Sequence, residues 1–230
     1  QRKALNIMES TDMTYDDLRT QMIAAARLLF ATDVMSHSGH ANMSVRLPEP
    51  DRLLMTARGQ VRDLAAEQLA VVTLTGEVVE GDVDATNREI IAMHAAVYRE
   101  RPEARAVIHT HSPHVTSFAL AHQPLPCRYE ALLRFGIAED IPVAAWGPRG
   151  SEESIRAIRE TLQAHPGVPA VLLANHGLLA FGTEIGAAAQ LIVAMEEAAE
   201  MTLGAMAVGG PQPFPEGALE QVHAHIARFA

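Results

Sequence analysis

The chain is poor in cysteine and in aromatic residues. Its single cysteine, Cys127, cannot form an internal disulfide, which is typical of a protein from a reducing compartment. Aromatic residues make up 4% of the 230 residues, so leucine, valine, isoleucine, alanine and methionine must fill any buried core. We therefore expect a cytoplasmic protein with an aliphatic core.

Lysine is almost absent from the chain. All but one of the 18 basic residues are arginine, and the remaining one, Lys3, lies in a predicted loose N-terminal tail over residues 1–13. Schiff-base aldolases, pyridoxal enzymes and P-loop nucleotide sites each need a positioned interior lysine. The sequence also lacks a GxSxG nucleophile elbow and a GxGxxG fingerprint. Any chemistry must therefore come from histidine, carboxylate, arginine or a bound metal.

Acidic residues outnumber basic ones and give a formal net charge of -10. A nucleic-acid-binding protein neutralises phosphates with clustered lysine and arginine, and no segment here supplies such a cluster. An acidic membrane surface is disfavoured for the same reason. The longest apolar stretch, residues 185–195, is interrupted by Gln190 and is too short to span a bilayer. We expect neither a nucleic-acid nor a membrane partner.

Helical and strand periodicities alternate along the chain. Apolar spacing predicts helices over about residues 15–34, 87–101, 113–121, 152–164 and 184–206, with a short helix at the C-terminal end. Short apolar runs predict strands at VRLP, RLLMT, LAVVTL, GEVVEG, ARAVIHTH, IPVAAW, PAVLLANH and LLAFG. No repeat or composition shift marks a second domain. The sequence therefore predicts one α/β domain over residues 14–230, in which helices cover an antiparallel or mixed sheet.

Three histidines stand at the ends of two predicted strands. His109 and His111 are two residues apart in one strand, so their imidazoles leave the same face side by side. His176 ends a second strand and is followed by Gly177, which we expect to allow a sharp turn. Three histidines with a fourth position open are typical of a catalytic metal site. The alternative is that the His109 and His111 pair is simply hydrogen-bonded in the core or at the surface.

Four segments of the sequence, SGHANMSVR, MTARG, ERPEARAVIHTHSPH and LLANHGLLAFG, together resemble the class II aldolase/adducin family. The resemblance implies an α/β/α sandwich around a largely antiparallel sheet, assembled as a homotetramer with active sites between neighbouring subunits. It also implies that His109, His111 and His176 bind a divalent metal ion, zinc first and otherwise manganese, iron or cobalt. Enzymes of this family include sugar-phosphate aldolases, an epimerase, a dehydratase and decarboxylases.

The same resemblance implies a catalytic acid in the helix before the His-Thr-His segment, and Glu89 is the candidate. The family's acid stands four residues before a helix histidine, whereas Glu89 stands five residues before His94. A one-residue insertion at the helix start restores its direction; otherwise the side chain is rotated by about 100° around the helix axis. The alternative is a glutamate near the helix start that is favourable to the helix dipole.

Two arginines, Arg58 and Arg88, stand where phosphate-using family members carry small residues. The guanidinium group is a planar fork that binds carboxylates through two hydrogen bonds, so a carboxylate substrate is favoured. The alternative is that both arginines are surface residues that pair with local acids such as Asp63 or Asp84.

These features predict a metal-dependent lyase for a small-molecule substrate that carries a carboxylate. Retro-aldol cleavage would proceed through a metal-stabilised enediolate or enolate, with Glu89 moving protons and with Asn42 and Thr56 orienting the substrate. Decarboxylation of a hydroxylated acid, aromatic acids included, shares this intermediate and is the first alternative. A non-catalytic, adducin-like scaffold is the second.

Overall fold

The computed structural model describes residues 14–229, so the predicted tail over residues 1–13 lies outside the described residues. The helices are α1 (Tyr15–Ala31), α2 (Ala85–Glu100), α3 (Pro113–Ala121), α4 (Glu130–Arg134), α5 (Glu152–Ala164), α6 (Ile185–Met206) and α7 (Ala218–Ile226). The strands are β1 (Ala41–Arg46), β2 (Arg52–Thr56), β3 (Leu69–Thr73), β4 (Val78–Glu80), β5 (Ala106–Thr110), β6 (Val143–Ala144), β7 (Ala170–Leu173) and β8 (Gly177–Gly182).

The strands form one eight-stranded sheet in the order β4-β3-β2-β1-β5-β8-β7-β6. Every neighbouring pair is antiparallel except β6 and β7, which are parallel. Strand β5 lies between β1 and β8, and its residue His109 stands opposite Asn42 on one side and Leu179 on the other. The predicted, largely antiparallel central sheet is confirmed.

Helices cover both faces of this sheet. Buried residues of α1, α3, α4 and α6 form one core on the first face, whereas buried residues of α2 and α5 form another on the second. Side chains alternate along β5, with Ile108 in the first core and Val107 in the second. His109 therefore leaves β5 on the face that α2 covers. The two helical layers confirm the predicted α/β/α sandwich.

The helix boundaries follow local capping chemistry. At the start of α1, the Thr14 hydroxyl accepts a hydrogen bond from the backbone N–H of Asp17, and the Asp17 carboxylate accepts one from the backbone N–H of Thr14. This helix ends at Ala31 rather than near residue 34, because Asp33 adopts a left-handed backbone with φ 56°. No helix among residues 14–229 is long and apolar enough to cross a membrane.

Candidate metal centre and its cavity

Three histidine side chains meet where β5 ends and β8 begins. His109 lies in β5, His111 follows the last residue of that strand, and His176 directly precedes β8. One ring nitrogen of each lies within 4.8 Å of the others, and the Nε2 atoms of His109 and His111 are 3.0 Å apart. Within residues 14–229 this is the one cluster of three or more side chains able to ligate a metal. Three imidazoles leave room for a further ligand, as in catalytic zinc sites.

Burial and hydrogen bonding hold the three rings in the metal-binding form. The Nδ1 atom of His109 donates to the carbonyl oxygen of Leu178 at 2.8 Å, which leaves the Nε2 lone pair for a metal. Burial lowers the pKa of His109 well below its ordinary value. Burial also lowers the pKa of His111 and takes the pKa of His176 to about 4, and the charge of Arg149 adds to both effects. Neutral imidazoles bind divalent ions, so this donor set fits one.

The turn before β8 places His176. Asn175 has a left-handed backbone with φ 57°, which asparagine tolerates, and its side-chain oxygen accepts a 2.6 Å hydrogen bond from His122 Nε2. Gly177, which we expected to make the sharp turn, is not left-handed. A Cβ atom on Gly177 would lie 2.9 Å from Cδ2 of His111 and would also meet the β5 backbone. Space beside the histidines, rather than backbone conformation, requires this glycine.

A cavity of about 520 Å³ opens beside the three histidines. Its wall comes from β1, the loop after β2, the first turn of α2 and the loop before α5, and consists of His40, Ala41, Asn42, Arg58, Gly59, Gln60, Asp84, Thr86, Asn87, His109, His111, Arg149 and His176. Two arginines, Arg58 and Arg149, and one aspartate, Asp84, are the charged residues of this wall. Guanidinium groups bind carboxylates and phosphates through paired hydrogen bonds, so two of them in one cavity favour a small anionic ligand.

Two of the predicted substrate-binding residues, Asn42 and Arg58, line this cavity. The Nε atom of Arg58 lies 3.8 Å from Oδ1 of Asp84, and both side chains are exposed to solvent. Thr56 is fully buried and does not line the cavity. Its hydroxyl accepts a hydrogen bond from a backbone N–H of β1, and its carbonyl accepts one of 3.0 Å from the side chain of Asn87. Thr56 therefore supports the cavity wall through Asn87 instead of facing a ligand.

Arg88 and Glu89 do not line the cavity. The Nε atom of Arg88 donates to the carbonyl oxygen of Val83 at 3.2 Å, and a substrate-binding role for Arg88 stays a prediction. The carboxylate of Glu89 is half-exposed and accepts a hydrogen bond of 3.3 Å from Nη2 of Arg149. A catalytic role for Glu89 stays a prediction.

Three residues of the cavity wall carry no strong signal in the sequence. His40 lies inside the segment SGHANMSVR and Gln60 directly follows the segment MTARG, but both segments drew attention for other positions. Arg149 lies in an irregular loop between β6 and α5, where no periodicity or motif marks it. Only the folded chain brings its guanidinium group to the cavity.

A buried hydrogen-bond chain fixes Asn42. On α2, Nε2 of His94 contacts the Asn42 side-chain oxygen at 2.6 Å, and Nδ1 contacts the Ser44 hydroxyl at 2.7 Å. Because the oxygen of Asn42 can only accept, Nε2 carries the proton and Nδ1 accepts from Ser44. Burial lowers the pKa of His94 to about 3, so the ring is neutral. The amide oxygen of Asn42 is therefore engaged with His94, and its NH₂ group has no protein partner among the described residues.

Comparisons with known proteins agree with this geometry. A family profile described as Class II Aldolase and Adducin N-terminal domain matches residues 20–203. The chain is 32% identical over 207 residues to 5-methylthioribulose-1-phosphate/5-deoxyribulose-1-phosphate aldolase of Rhodospirillum rubrum, covering 89% of each chain. It is 32% identical over 174 residues to 3-oxo-tetronate 4-phosphate decarboxylase of Haemophilus influenzae, covering 71% of this chain and 76% of that one. An L-fuculose 1-phosphate aldolase structure superposes with a TM-score of 0.80 at 25% identity, over 94% of this chain and 99% of that one. The chain therefore belongs to the class II aldolase and adducin family.

Proposed function

We propose that the protein is a divalent-metal-dependent carbon–carbon lyase that cleaves a small, anionic hydroxy-carbonyl substrate by a retro-aldol reaction. The convergence of His109, His111 and His176 beside a cavity that holds two arginines carries this proposal. The similar proteins from Rhodospirillum rubrum and Haemophilus influenzae support it, because an aldolase and a decarboxylase are both lyases.

The three histidines would hold the metal ion, with zinc the first candidate and manganese, iron or cobalt the others. When bound, the ion supplies a Lewis acid that stabilises negative charge on a carbonyl oxygen. The hydrogen bond from His109 Nδ1 to Leu178 fixes the orientation of that ring, as outer hydrogen bonds do in other metal sites.

Residues at the other end of the cavity would bind and orient the anionic end of the substrate. The NH₂ group of Asn42 is available as a donor, since His94 occupies the oxygen of the same amide. Thr86 lies in the first turn of α2, where backbone N–H groups and the helix dipole favour an anion. Arg58 adds a planar guanidinium group.

Proton transfer needs a base for the substrate hydroxyl. In retro-aldol cleavage this base takes the hydroxyl proton and the carbon–carbon bond breaks. The electron pair stays on the carbon beside the carbonyl and later takes a proton. We assign this role to Glu89 on family resemblance, because its half-exposed side chain has room to rotate. Asp84 is the one carboxylate in the cavity wall, so comparing kcat of Glu89→Gln with that of Asp84→Asn tests the assignment.

A substrate screen tests the proposed reaction. Protein reconstituted with each of the four metals is assayed against sugar phosphates, hydroxy-keto acids and hydroxylated aromatic acids, with detection of aldehyde and of carbon dioxide. We expect aldehyde release that His176→Ala abolishes together with stoichiometric metal binding. His165→Ala, a partly exposed histidine at the end of α5, is the matched control and should change neither. A fully metallated protein that turns over no compound of the panel would contradict the proposal.

Decarboxylation is the second candidate reaction. The similarity to a 3-oxo-tetronate 4-phosphate decarboxylase favours it, since that protein has the same 32% identity as the aldolase, although over 174 residues instead of 207. Release of carbon dioxide without aldehyde would assign the chain to this reaction.

A non-catalytic scaffold is the remaining alternative. The retained cluster of His109, His111 and His176 argues against it, because a scaffold has no need for converging metal ligands. Metal analysis after reconstitution discriminates between the two: a content near one ion per chain supports the enzyme, and a content below a few tenths supports the scaffold.

We also propose a homotetramer with its active sites between subunits. Large apolar side chains are exposed on the last part of α6 and just beyond it, namely Met201, Leu203, Met206 and Val208. Such a cluster is typical of a surface that another protein covers. Light scattering should give the mass of four chains, and a stable monomer at micromolar concentration would contradict the assembly.

A further inference from the structure

Arg149 is the one charged residue of the cavity wall that comes from the loop between β6 and α5. Its Nη2 atom lies 3.3 Å from the carboxylate of Glu89 on α2, and both side chains are about half-exposed. An exposed pair of this kind contributes little to stability. The position of Arg149 therefore needs an explanation other than the strength of its ion pair.

Two glycines allow this loop to pack closely against α2 and α5. Gly150 has φ 77°, and a Cβ atom there would lie 2.8 Å from both Cβ and the carbonyl oxygen of Glu89. A Cβ atom on Gly147 would lie 2.5 Å from the backbone nitrogen of Ser154 in α5. The hydroxyl of Ser151 also accepts a hydrogen bond from that nitrogen and so caps α5. The loop is thus held against α2 and α5, with Arg149 between the two contacts.

The two arginines of the cavity contact carboxylates at different positions along α2. Arg58 lies beside Asp84, the residue that precedes the helix, whereas Arg149 contacts Glu89, five residues further on. Five residues of α-helix span about 7.5 Å. Arg149 lines the same cavity wall as the metal-site histidines His111 and His176. The two arginines therefore reach the cavity at different positions along α2, and Arg58 is the one beside the N-terminal end of this helix.

We propose that Arg149 is a substrate-specificity residue that binds a carboxylate in the cavity, apart from the anion at Arg58, so that the substrate has two anionic groups. The second anion, a phosphate or another carboxylate, lies at the Arg58 end. This inference rests on the proposed lyase function and narrows its substrate class to acids with an anionic group at each end of a short, hydroxylated carbon chain. The guanidinium fork suits a carboxylate because it donates two parallel hydrogen bonds.

The bound carboxylate should stay in the product. Decarboxylation turns a charged carboxylate into neutral carbon dioxide, so an arginine that binds the leaving group would stabilise the ground state more than the transition state. Aldol cleavage leaves the charge of a remote carboxylate unchanged, and the same contact then persists through the reaction. The position of Arg149 therefore favours retro-aldol cleavage of an acid over loss of the carboxylate that Arg149 holds.

A binding experiment with three small probes tests this assignment without turnover. Metal-loaded protein is titrated calorimetrically with 3-phosphoglycerate, with glycerol 3-phosphate, which lacks the carboxylate, and with glycerate, which lacks the phosphate. We expect 3-phosphoglycerate to bind at least ten times more tightly than glycerol 3-phosphate. In Arg149→Ala this ratio should fall to near one, and Arg149→Lys should restore only part of it, because the fork is lost while the charge is kept.

Two further variants locate the effect. Arg58→Ala should weaken 3-phosphoglycerate and glycerol 3-phosphate by the same factor. Arg156→Ala removes an exposed arginine of α5 that pairs with Glu160, and it should leave every affinity unchanged. The inference would be overturned if the ratio of the affinities for 3-phosphoglycerate and glycerol 3-phosphate stays the same in Arg149→Ala, or if it falls equally in Arg156→Ala. It would also be overturned if the wild-type protein binds none of the probes. Probe discrimination that depends on Arg149, in a protein that cleaves no compound of the screen, would instead refute only the lyase proposal.

Discussion

The buried ring of His94 should cost the folded protein stability as the pH falls from 7 to 5. In the folded chain this ring is completely buried, bonded to Ser44 and Asn42, and burial lowers its pKa to about 3. In the unfolded chain the same ring regains the ordinary histidine pKa of 6.5. Below pH 6.5 the His94 ring therefore binds a proton in the unfolded state but not in the folded state.

The size of the loss follows from proton linkage. The pKa of His94 is lower in the folded state than in the unfolded state. The folded state therefore keeps its full stability above pH 6.5 and loses stability as the pH falls from 6.5 towards 3. Between pH 7 and pH 5 the free energy of unfolding should fall by about 1.9 kcal/mol on account of His94 alone. This loss of stability hardly depends on the exact pKa of His94 in the folded state, because pH 5 lies well above that pKa.

Denaturant unfolding of wild type and His94→Gln isolates this contribution. Glutamine can still donate to Asn42 but does not titrate, and the other histidines contribute equally to both proteins. Both proteins are unfolded metal-free, at one protein concentration, at pH 7 and at pH 5. Between pH 7 and pH 5, the wild-type protein should lose about 1.9 kcal/mol more stability than the variant. Equal losses in the two proteins would refute the buried, neutral state of His94.

Three substitutions test other parts of the structure. Gly177→Ala should reduce metal content measured by atomic absorption, because the added methyl group would displace the ring of His111. Glu196→Gln should lower the free energy of unfolding by about 1–3 kcal/mol in urea titrations, since the buried Glu196 carboxylate accepts two backbone N–H bonds at the start of α3. Arg101→Met should lower the free energy of unfolding by a similar amount, about 1–3 kcal/mol, because the Arg101 guanidinium group donates to two carbonyl oxygens at the end of α5. A loss below about 0.5 kcal/mol in Glu196→Gln or in Arg101→Met would contradict the role of that residue.

The sequence predicted the fold well where periodicity is strong. The long helices and most of the buried strands show clear spacing and appear in the structure near the expected positions. The exception is β1, which covers Ala41–Arg46 instead of VRLP at residues 45–48. The helix α4 (Glu130–Arg134) was not predicted, because five residues are too few for a helical period to be visible. Strand β6 is shorter than the run IPVAAW suggested, since only Val143 and Ala144 find a partner on β7. Pairing depends on tertiary contacts that a single segment does not encode.

The site was predictable to the extent that it depends on strand ends. The spacing of His109, His111 and His176 was visible because ligands follow the apolar runs that bring them together. The residues of α2 were harder to place, because one position along a helix turns a side chain by 100° and decides whether it faces the cavity. That rotation separates Asn87, which lines the wall, from Arg88, which does not. Arg149 was missed because loop geometry, and no sequence period, brings it to the wall.

The central position of β5 has a consequence for how the chain folds. Asn42 on β1, His109 on β5 and His176 beside β8 follow one another at intervals of roughly 65 residues, so their assembly is a long-range event with a high contact order. During synthesis the cluster cannot exist until β8 has left the ribosome, when most of the chain is already made. A register slip of one residue in β5 would also turn His109 towards the opposite core. Metal uptake by a refolding chain would therefore report correct pairing of these three strands.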